Sequence, residues 1–384
     1  MNGSGHAVLI LAAGALIAGV NGANDVSRGI ATLVGSGVTG YRRAILWGAA
    51  WTAVGGLAAF TLAGPMVATF GNGLLAPGTA PTVAAALATI LGAAGWVLLA
   101  TRTGLPVSTT HAIVGSLAGV AAFAYGVDGV RWSVLAGKIV LPLILSPVAS
   151  LVLTVLLVRA GRLLAGPSAT GADCLCVEPE PAMAVLAAGP GTARSAVWVP
   201  GGPAVRTITG TTKACAIEHP AALRLSLDHL HWLTSGATSL ARAMNDAPKM
   251  AALMLVAAAL PTGAPVAPSL VFVLVTLGMV AGSVVAGVRV TRVLAENITV
   301  MDHREGFLAN VVTAALVTAG AVGGLPMSTT HVSASAIIGT GAQRGSRALN
   351  RKTVRDLLLA WLVTLPAAAA LGTVTYVTVR AIQG

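Results

Sequence analysis

Long apolar runs separated by short polar connections occupy most of the 384 residues. Ala44–Gly64, Val83–Ala100, Ile139–Val158, Ser269–Val288 and Leu357–Val379 contain no Asp, Glu, Lys or Arg. Each approaches the roughly 20 residues that a helix needs to cross a bilayer. The pattern predicts five net crossings in each half of the chain. The first half supplies His6–Val34 (an interrupted helix), Ala44–Gly64, Val83–Ala100, Gly104–Tyr125 and Val134–Val158. The second supplies Leu230–Leu260, Ser269–Val288, Phe307–Val322, Gly324–Gly341 and Leu357–Val379. The expected fold is an all-α polytopic membrane protein with about 10–12 membrane segments. Only Gly161–Asp228 departs from the pattern, mixing acids, bases, Pro, Gly and Thr without a long apolar run. It reads as a soluble insertion, with short strands expected at Ala196–Val199 and Val205–Thr209.

The chain contains itself twice. Gly104-Leu105-Pro106-Val107-Ser108-Thr109-Thr110-His111 returns 220 residues later as Gly324-Leu325-Pro326-Met327-Ser328-Thr329-Thr330-His331. Asn24-Asp25 returns 221 residues later as Asn245-Asp246, and a base follows each Asp by three positions, Arg28 and Lys249. Pro147 and Pro366, inside the last apolar run of each half, are 219 residues apart. Several features in one order at one spacing indicate two homologous membrane halves, about 1–160 and 229–384, flanking the 161–228 insertion.

Charge assigns the sides. Lys and Arg gather in alternate connections: Arg42 and Arg43, Arg102, the insertion, Arg289, Arg292 and Arg304, and the cluster Arg344, Arg347, Arg351, Lys352 and Arg355. The other connections, Met1–Gly5, Pro65–Thr82, Gly126–Trp132 and Pro261–Pro268, hold only Asp128 and Arg131. The positive-inside bias places the first group in the cytoplasm and both termini outside a cell membrane. An odd number of crossings per half then makes the second half an inverted copy of the first. Inverted repeats with interrupted helices are an architecture of secondary transporters. The formal charge of +11 would raise the question of nucleic acid in a soluble protein. Here it marks membrane sides, so lipid is the expected surroundings and nucleic acid is not an expected partner. No feature speaks for or against a homo-oligomer. Cys174, Cys176 and Cys215 all fall in the insertion, and read as reduced, idle thiols rather than a metal site.

Asp25 and Asp246 sit in or beside apolar segments, where a carboxylate costs about 2.5–3.5 kcal/mol on insertion scales. Such a group binds a cation or carries a proton. The two Gly-Leu-Pro-x-Ser-Thr-Thr-His segments read as helix starts, with Pro in the first turn. Ser108, Thr109 and Thr110, with Ser328, Thr329 and Thr330, would gather hydroxyls and free N–H groups at the positive ends of two helix dipoles, a setting for a tetrahedral oxyanion. Ordinary capping accounts for one hydroxyl in each segment. His111 and His331 are secondary candidates as proton relays or as structural hydrogen-bonders. Arg28 fits as an i,i+3 partner of Asp25; Lys249 has the same spacing from Asp246 but no clearer assignment. Asn297 and Asn310 stay unassigned.

These residues resemble the inorganic phosphate transporter (PiT) family. Gly22-Ala23-Asn24-Asp25-Val26 is similar to its Gly-Ala-Asn-Asp-Val signature, and the paired Gly-Leu-Pro-x-Ser-Thr-Thr-His segments to its second signature. The resemblance covers both membrane halves and not the insertion. It implies a symporter importing inorganic phosphate with protons or sodium as the coupling cation. Its phosphate site would comprise Asp25, Ser108, Thr109, Thr110, Asp246, Ser328, Thr329 and Thr330, and Asn24 and Asn245 would join Asp25 and Asp246 in the coupling-ion site. It implies no other cofactor and no metal. Two departures stand out: the family usually has a small or polar residue where this chain has Arg28, and the second copy lacks the Gly-Ala start. Both halves thus place a fixed cation where a neutral side chain is common, which favours proton coupling. Sulfate, arsenate and a metal–phosphate complex are alternative cargoes. A membrane-embedded hydrolase using Ser108 and His111 is the alternative from another class; no nucleophile elbow, His-Glu-x-x-His or Walker-type loop supports it.

Overall fold

The computed structural model describes residues 3–71, 73–165, 172–179, 183–185, 196–198, 205–260, 266–345 and 348–383. Arg347, residues 261–265 of one expected outer connection and much of the insertion lie outside them. The chain separates into two compact units, Met1–Arg159 with His231–Gly384, and Ala160–Leu230.

The larger unit is helical throughout. Its first part runs α1 (Gly3–Asp25), α2 (Ser27–Gly35), α3 (Tyr41–Leu62), α4 (Gly64–Gly71), α5 (Val83–Thr103), α6 (Thr109–Tyr125) and α7 (Trp132–Val134), which passes through a π-helical turn into α8 (Leu141–Ala165). In the insertion, β1 (Cys174–Pro179) lies between β4 (Val205–Gly210) and β5 (Leu223–Ser226) in an antiparallel sheet. A second ladder pairs β2 (Met183–Val185) with β3 (Ala196–Trp198), and α9 (Thr212–Glu218) precedes β5. The expected strands at Ala196–Val199 and Val205–Thr209 correspond to β3 and β4; Val199 lies outside the described residues. The larger unit resumes with α10 (Leu227–Ala258), α11 (Pro268–Ala286), α12 (Val288–Glu296), α13 (His303–Val322), α14 (Thr329–Ala342) and α15 (Arg351–Gln383). Seven helical segments among the described residues are long and apolar enough to cross a membrane. Leu and Val side chains of α8 and α15 face outward, among them Leu145, Val148, Leu156, Leu362 and Val374, while Asp25, Arg28, Arg242, Asp246 and Lys249 of α1, α2 and α10 are buried.

Small residues let these helices approach at backbone distance. A Cβ on Gly22 would stand 1.9 Å from the Met279 carbonyl oxygen, and one on Gly282 would stand 1.8 Å from that of Gly19. These glycines hold α1 against α11. On α3, a Cβ on Gly55 would meet the Leu240 carbonyl of α10 at 2.3 Å. The partners are exchanged between halves: the first helix of each part packs on the second long helix of the other. The same exchange ties Gly115 of α6 to Leu365 of α15, and Gly339 of α14 to Leu151 of α8. Helix α1 and its continuation α2 run antiparallel to α10, with Gly14 of α1 against Met254, Asn21 of α1 against Asp246 and Gly29 of α2 against Ser239.

The expected Gly104–Tyr125 and Gly324–Gly341 helices begin later than the sequence suggested. Pro106 and Pro326 lie in extended tips rather than in first turns, and Ser108 and Ser328 are the N-caps. The left-handed Gly104 (φ +78°) and Gly324 (φ +68°) turn the chain out of α5 and α13 into these tips. Helix α6 has 17 residues and α14 has 14, about 26 and 21 Å at 1.5 Å per residue. Both are shorter than the hydrocarbon core of about 30 Å. Each packs back on the preceding helix, α6 on α5 and α14 on α13; in the first pair Ser116 Oγ donates to the Thr89 carbonyl at 2.9 Å, and the Thr82 N–H donates to the Tyr125 hydroxyl at 2.9 Å. Two helical hairpins result, and a hairpin leaves the parity of crossings unchanged. Arg102, expected in a cytoplasmic connection, instead lies in the last turn of α5 beside a hairpin tip.

Candidate functional site

The two tips touch each other and the helices that carry the acids. Thr330 Oγ1 donates to the Val107 carbonyl at 2.9 Å, and Thr110 Oγ1 donates to the Met327 carbonyl at 3.3 Å. Asn24 reaches the first tip through Thr101 Oγ1 (3.0 Å) and the Leu105 carbonyl (3.3 Å). Asn245 holds the second tip with its Nδ2 on the Met327 carbonyl (3.0 Å) and its Oδ1 accepting the Met327 N–H (3.2 Å).

Asp25 and Asp246 are 1% and 3% exposed and share one donor. Asn21 Nδ2 lies 3.0 Å from Asp25 Oδ2 and 3.2 Å from Asp246 Oδ2. Thr109 Oγ1 donates to Asp25 Oδ2 at 3.3 Å and lies 3.1 Å from the same Asn21 amide. Arg28 pairs with its Asp as expected, Nη2 to Asp25 Oδ1 at 3.1 Å, and Lys249, left unassigned by the sequence, does the same, Nζ to Asp246 Oδ1 at 3.4 Å. Each base also bridges the two tips, gripping a threonine of the other half's hairpin and a carbonyl of its own. Arg28 donates to Thr330 Oγ1 (2.9 Å from Nη2, 3.1 Å from Nε) and to the Val107 carbonyl (3.1 Å). Lys249 donates to Thr110 Oγ1 (2.6 Å) and to the Met327 carbonyl (3.3 Å). Neither base snorkels to an aqueous edge.

Two members were not singled out in the sequence. Arg242, 1% exposed, donates through Nη2 to Thr52 Oγ1 at 2.5 Å and through Nη1 to Asn21 Oδ1 at 3.3 Å. Asn21 and Arg242 each precede their Asp by four residues, one helical turn, and stand 221 residues apart. A signal was therefore present: the repeat offset that pairs the acids also pairs these polar residues. With Arg242, the cluster brings three cations to two carboxylates, a formal excess of one positive charge. Buried charges persist where they are paired and hydrogen-bonded, and an excess positive charge suits an anion.

The other expected residues divide. Thr109, Thr110 and Thr330 lie in the cluster, and Thr329 is buried at the first position of α14. Ser108 and Ser328 are spent on capping: their Oγ atoms accept the His111 and His331 N–H groups, each at 3.2 Å. The imidazoles of His111 and His331 lie behind the threonines with centroids 4.4 Å apart. His111 Nδ1 is 2.8 Å from Ser108 Oγ, and His331 stacks on Trp361 at 4.0 Å. They line an apolar cleft of about 510 Å³ that also includes Pro147 and Trp361. Asn310 accepts from Thr238 through its backbone, and Asn297 ends α12, both apart from the cluster.

Compared with known protein families, residues 21–372 match the phosphate transporter family. The chain belongs to that family. A Pyrococcus abyssi protein named as a phosphate permease is 29% identical over 401 residues, covering 96% of each chain. Inorganic phosphate transporter 2-1 of Arabidopsis thaliana, a chloroplastic protein, is 29% identical over 416 residues, covering 92% of this chain and 68% of its own. A solved structure described as the sodium-dependent phosphate transporter shares the fold, with a TM-score of 0.74 at 21% identity over 98% of this chain and 99% of that one. This phosphate transporter family member is a multi-pass membrane protein and not an enzyme, so the hydrolase built on Ser108 and His111 is set aside.

Proposed function

We propose that the chain is a secondary carrier that imports inorganic phosphate by proton symport, alternating access between two inverted halves. The observation that carries this function is the meeting of two hairpin tips, one from each half, on a buried cluster of two carboxylates and three cations. Phosphate would be held by Thr109, Thr110, Thr329 and Thr330, the N-terminal amides of α6 and α14, and the cations, with Asp25 and Asp246 accepting its hydroxyl protons. Ser108 and Ser328 shape these helix ends rather than hold the anion directly. The antiparallel course of α1 and α10 supports inversion. The Lys and Arg distribution supports external termini and a cytoplasmic insertion, which would make 1–160 and 229–384 the two exchanging halves.

Asn24, Asp25, Asn245 and Asp246 remain the coupling site, with the proton residing on a carboxylate. The solved relative is described as sodium-dependent, so sodium is the competing ion. Proton coupling is favoured here because Arg28 and Lys249 already stand at the outer oxygens of both carboxylates, ground that a sodium ion would otherwise hold. Uptake of labelled phosphate into proteoliposomes, under a pH gradient alone and a sodium gradient alone, tests this directly. The pH gradient should drive accumulation. Uptake that requires sodium and ignores pH would overturn proton coupling, and arsenate or sulfate outcompeting phosphate would overturn the cargo.

A further inference from the structure

The insertion gathers all three cysteines of the chain around one point. Cys174 and Cys176 alternate along β1, the central strand of its sheet, and so share one face. Cys215 comes to that face from α9, with Ala222 and Ile208 closing the pocket. All three are buried, and their Sγ atoms lie within 4.8 Å of one another. Cys176 and Cys215 are joined as a disulfide, with Cα atoms 6.0 Å apart, and Cys174 is free. This corrects the expectation of three idle thiols. A disulfide needs two cysteines, yet the Sγ of the third lies within 4.8 Å of both.

From this convergence we infer that the reduced insertion binds one thiophilic metal ion, zinc(II) or an ion of the same class, through Cys174, Cys176 and Cys215. At Zn–S near 2.3 Å, thiolates around one ion stand roughly 3.8–4.0 Å apart, so 4.8 Å closes by side-chain rotation. A cellular thiol reductant opens the disulfide and supplies two of the three thiols. On binding, three S–H bonds are exchanged for three Zn–S bonds and three protons leave to the solvent. His219, one turn beyond Cys215, is tied to Glu178 Oε2 at 3.0 Å, so the fourth position falls to water. The inference rests on the proposed cytoplasmic placement of the insertion only for the prevalence of the reduced state.

The test uses the full chain, purified in detergent, reduced, and freed of reductant without oxygen. Zinc is titrated against a chromophoric chelator, and cobalt(II) serves as the spectroscopic probe. One zinc per chain and a thiolate-to-cobalt charge-transfer band are expected. Cys174→Ser should weaken zinc binding by more than about tenfold, while still forming the Cys176–Cys215 disulfide on oxidation, which shows that its insertion folds. Absence of zinc binding by the reduced chain, or equal binding by Cys174→Ser, overturns the site. Zinc binding by a chain whose insertion is labelled from outside intact cells supports the site and sinks the orientation instead.

Discussion

Arg242 offers the sharpest test of the cluster, because its counterpart in the other half is the neutral Asn21. Arg242→Asn makes the two positions alike and takes the formal charge of the cluster from +1 to zero. The Asn21 amide separates the guanidinium from the carboxylates, with 3.3 Å on one side and 3.0 and 3.2 Å on the other. For an anion seated roughly 7 Å from the guanidinium, Coulomb's law with an effective dielectric of about 20 gives about 2.4 kcal/mol, or roughly fiftyfold in affinity. The assay is phosphate binding to the purified carrier by calorimetry, with the half-saturation of uptake in proteoliposomes as a second readout. The exchanged variant Asn21→Arg/Arg242→Asn keeps the total charge while moving it to the other half, and should recover most of the loss. Arg242→Asn binding phosphate within twofold of the parent would show that this charge does not reach the anion. Equal loss in the single and exchanged variants would mean that Arg242 acts through its contact with Thr52.

Asp25→Asn and Asp246→Asn should each retain exchange of labelled phosphate across the vesicle membrane but lose accumulation driven by a pH gradient; unchanged accumulation in both would remove the carboxylates from coupling. Ser108→Ala should lower the thermal midpoint through a lost cap of about 1 kcal/mol and leave the half-saturation for phosphate within about threefold. Thr110→Val, which removes the hydroxyl between Lys249 Nζ and the Met327 carbonyl, should raise it more than about tenfold; the opposite ranking would return the anion to the serines. Gly282→Leu drives a side chain into the Gly19 carbonyl at a cost at or beyond about 3 kcal/mol, and size-exclusion in detergent should show little monodisperse protein.

The repeat, the paired acids and their bases were legible in the sequence because each is a local pattern that recurs at one offset. The i,i+3 spacing foretold the Arg28–Asp25 pair, and the same spacing left Lys249 unassigned although it too pairs, with Asp246. What each base does beyond its own Asp was not legible. Its grip on Thr330 or Thr110 joins positions 302 and 139 residues apart, and no periodicity encodes such a contact. Arg242 was overlooked for a related reason: in a helix of apolar character a lone Arg reads as an edge residue until the fold shows it wholly enclosed. The late starts of α6 and α14 follow from a competition between signals. Pro at N1 and Ser at N-cap are both good helix beginnings, and in each tip the serine prevails because the preceding residues are stretched across to the facing half.

Charge balance connects the cluster to its coupling ion. Two carboxylates and three cations leave +1 in a region with no water-exposed counter-charge on Arg28, Arg242 or Lys249. A monovalent phosphate brings that sum to zero, and a divalent phosphate does so together with one proton on Asp25 or Asp246. A sodium ion added to the monovalent complex would restore an unpaired buried charge, which is costly. In Arg242→Asn the same sum begins at zero, so a monovalent phosphate leaves −1, and an added cation now improves the balance. Below the second pKa of phosphate, where the anion is monovalent, sodium should therefore stimulate phosphate binding by Arg242→Asn while leaving the parent unaffected, measured at constant ionic strength with choline as the control cation. Equal sodium response in the two proteins would show that the coupling ion is selected by something other than the charge of this cluster.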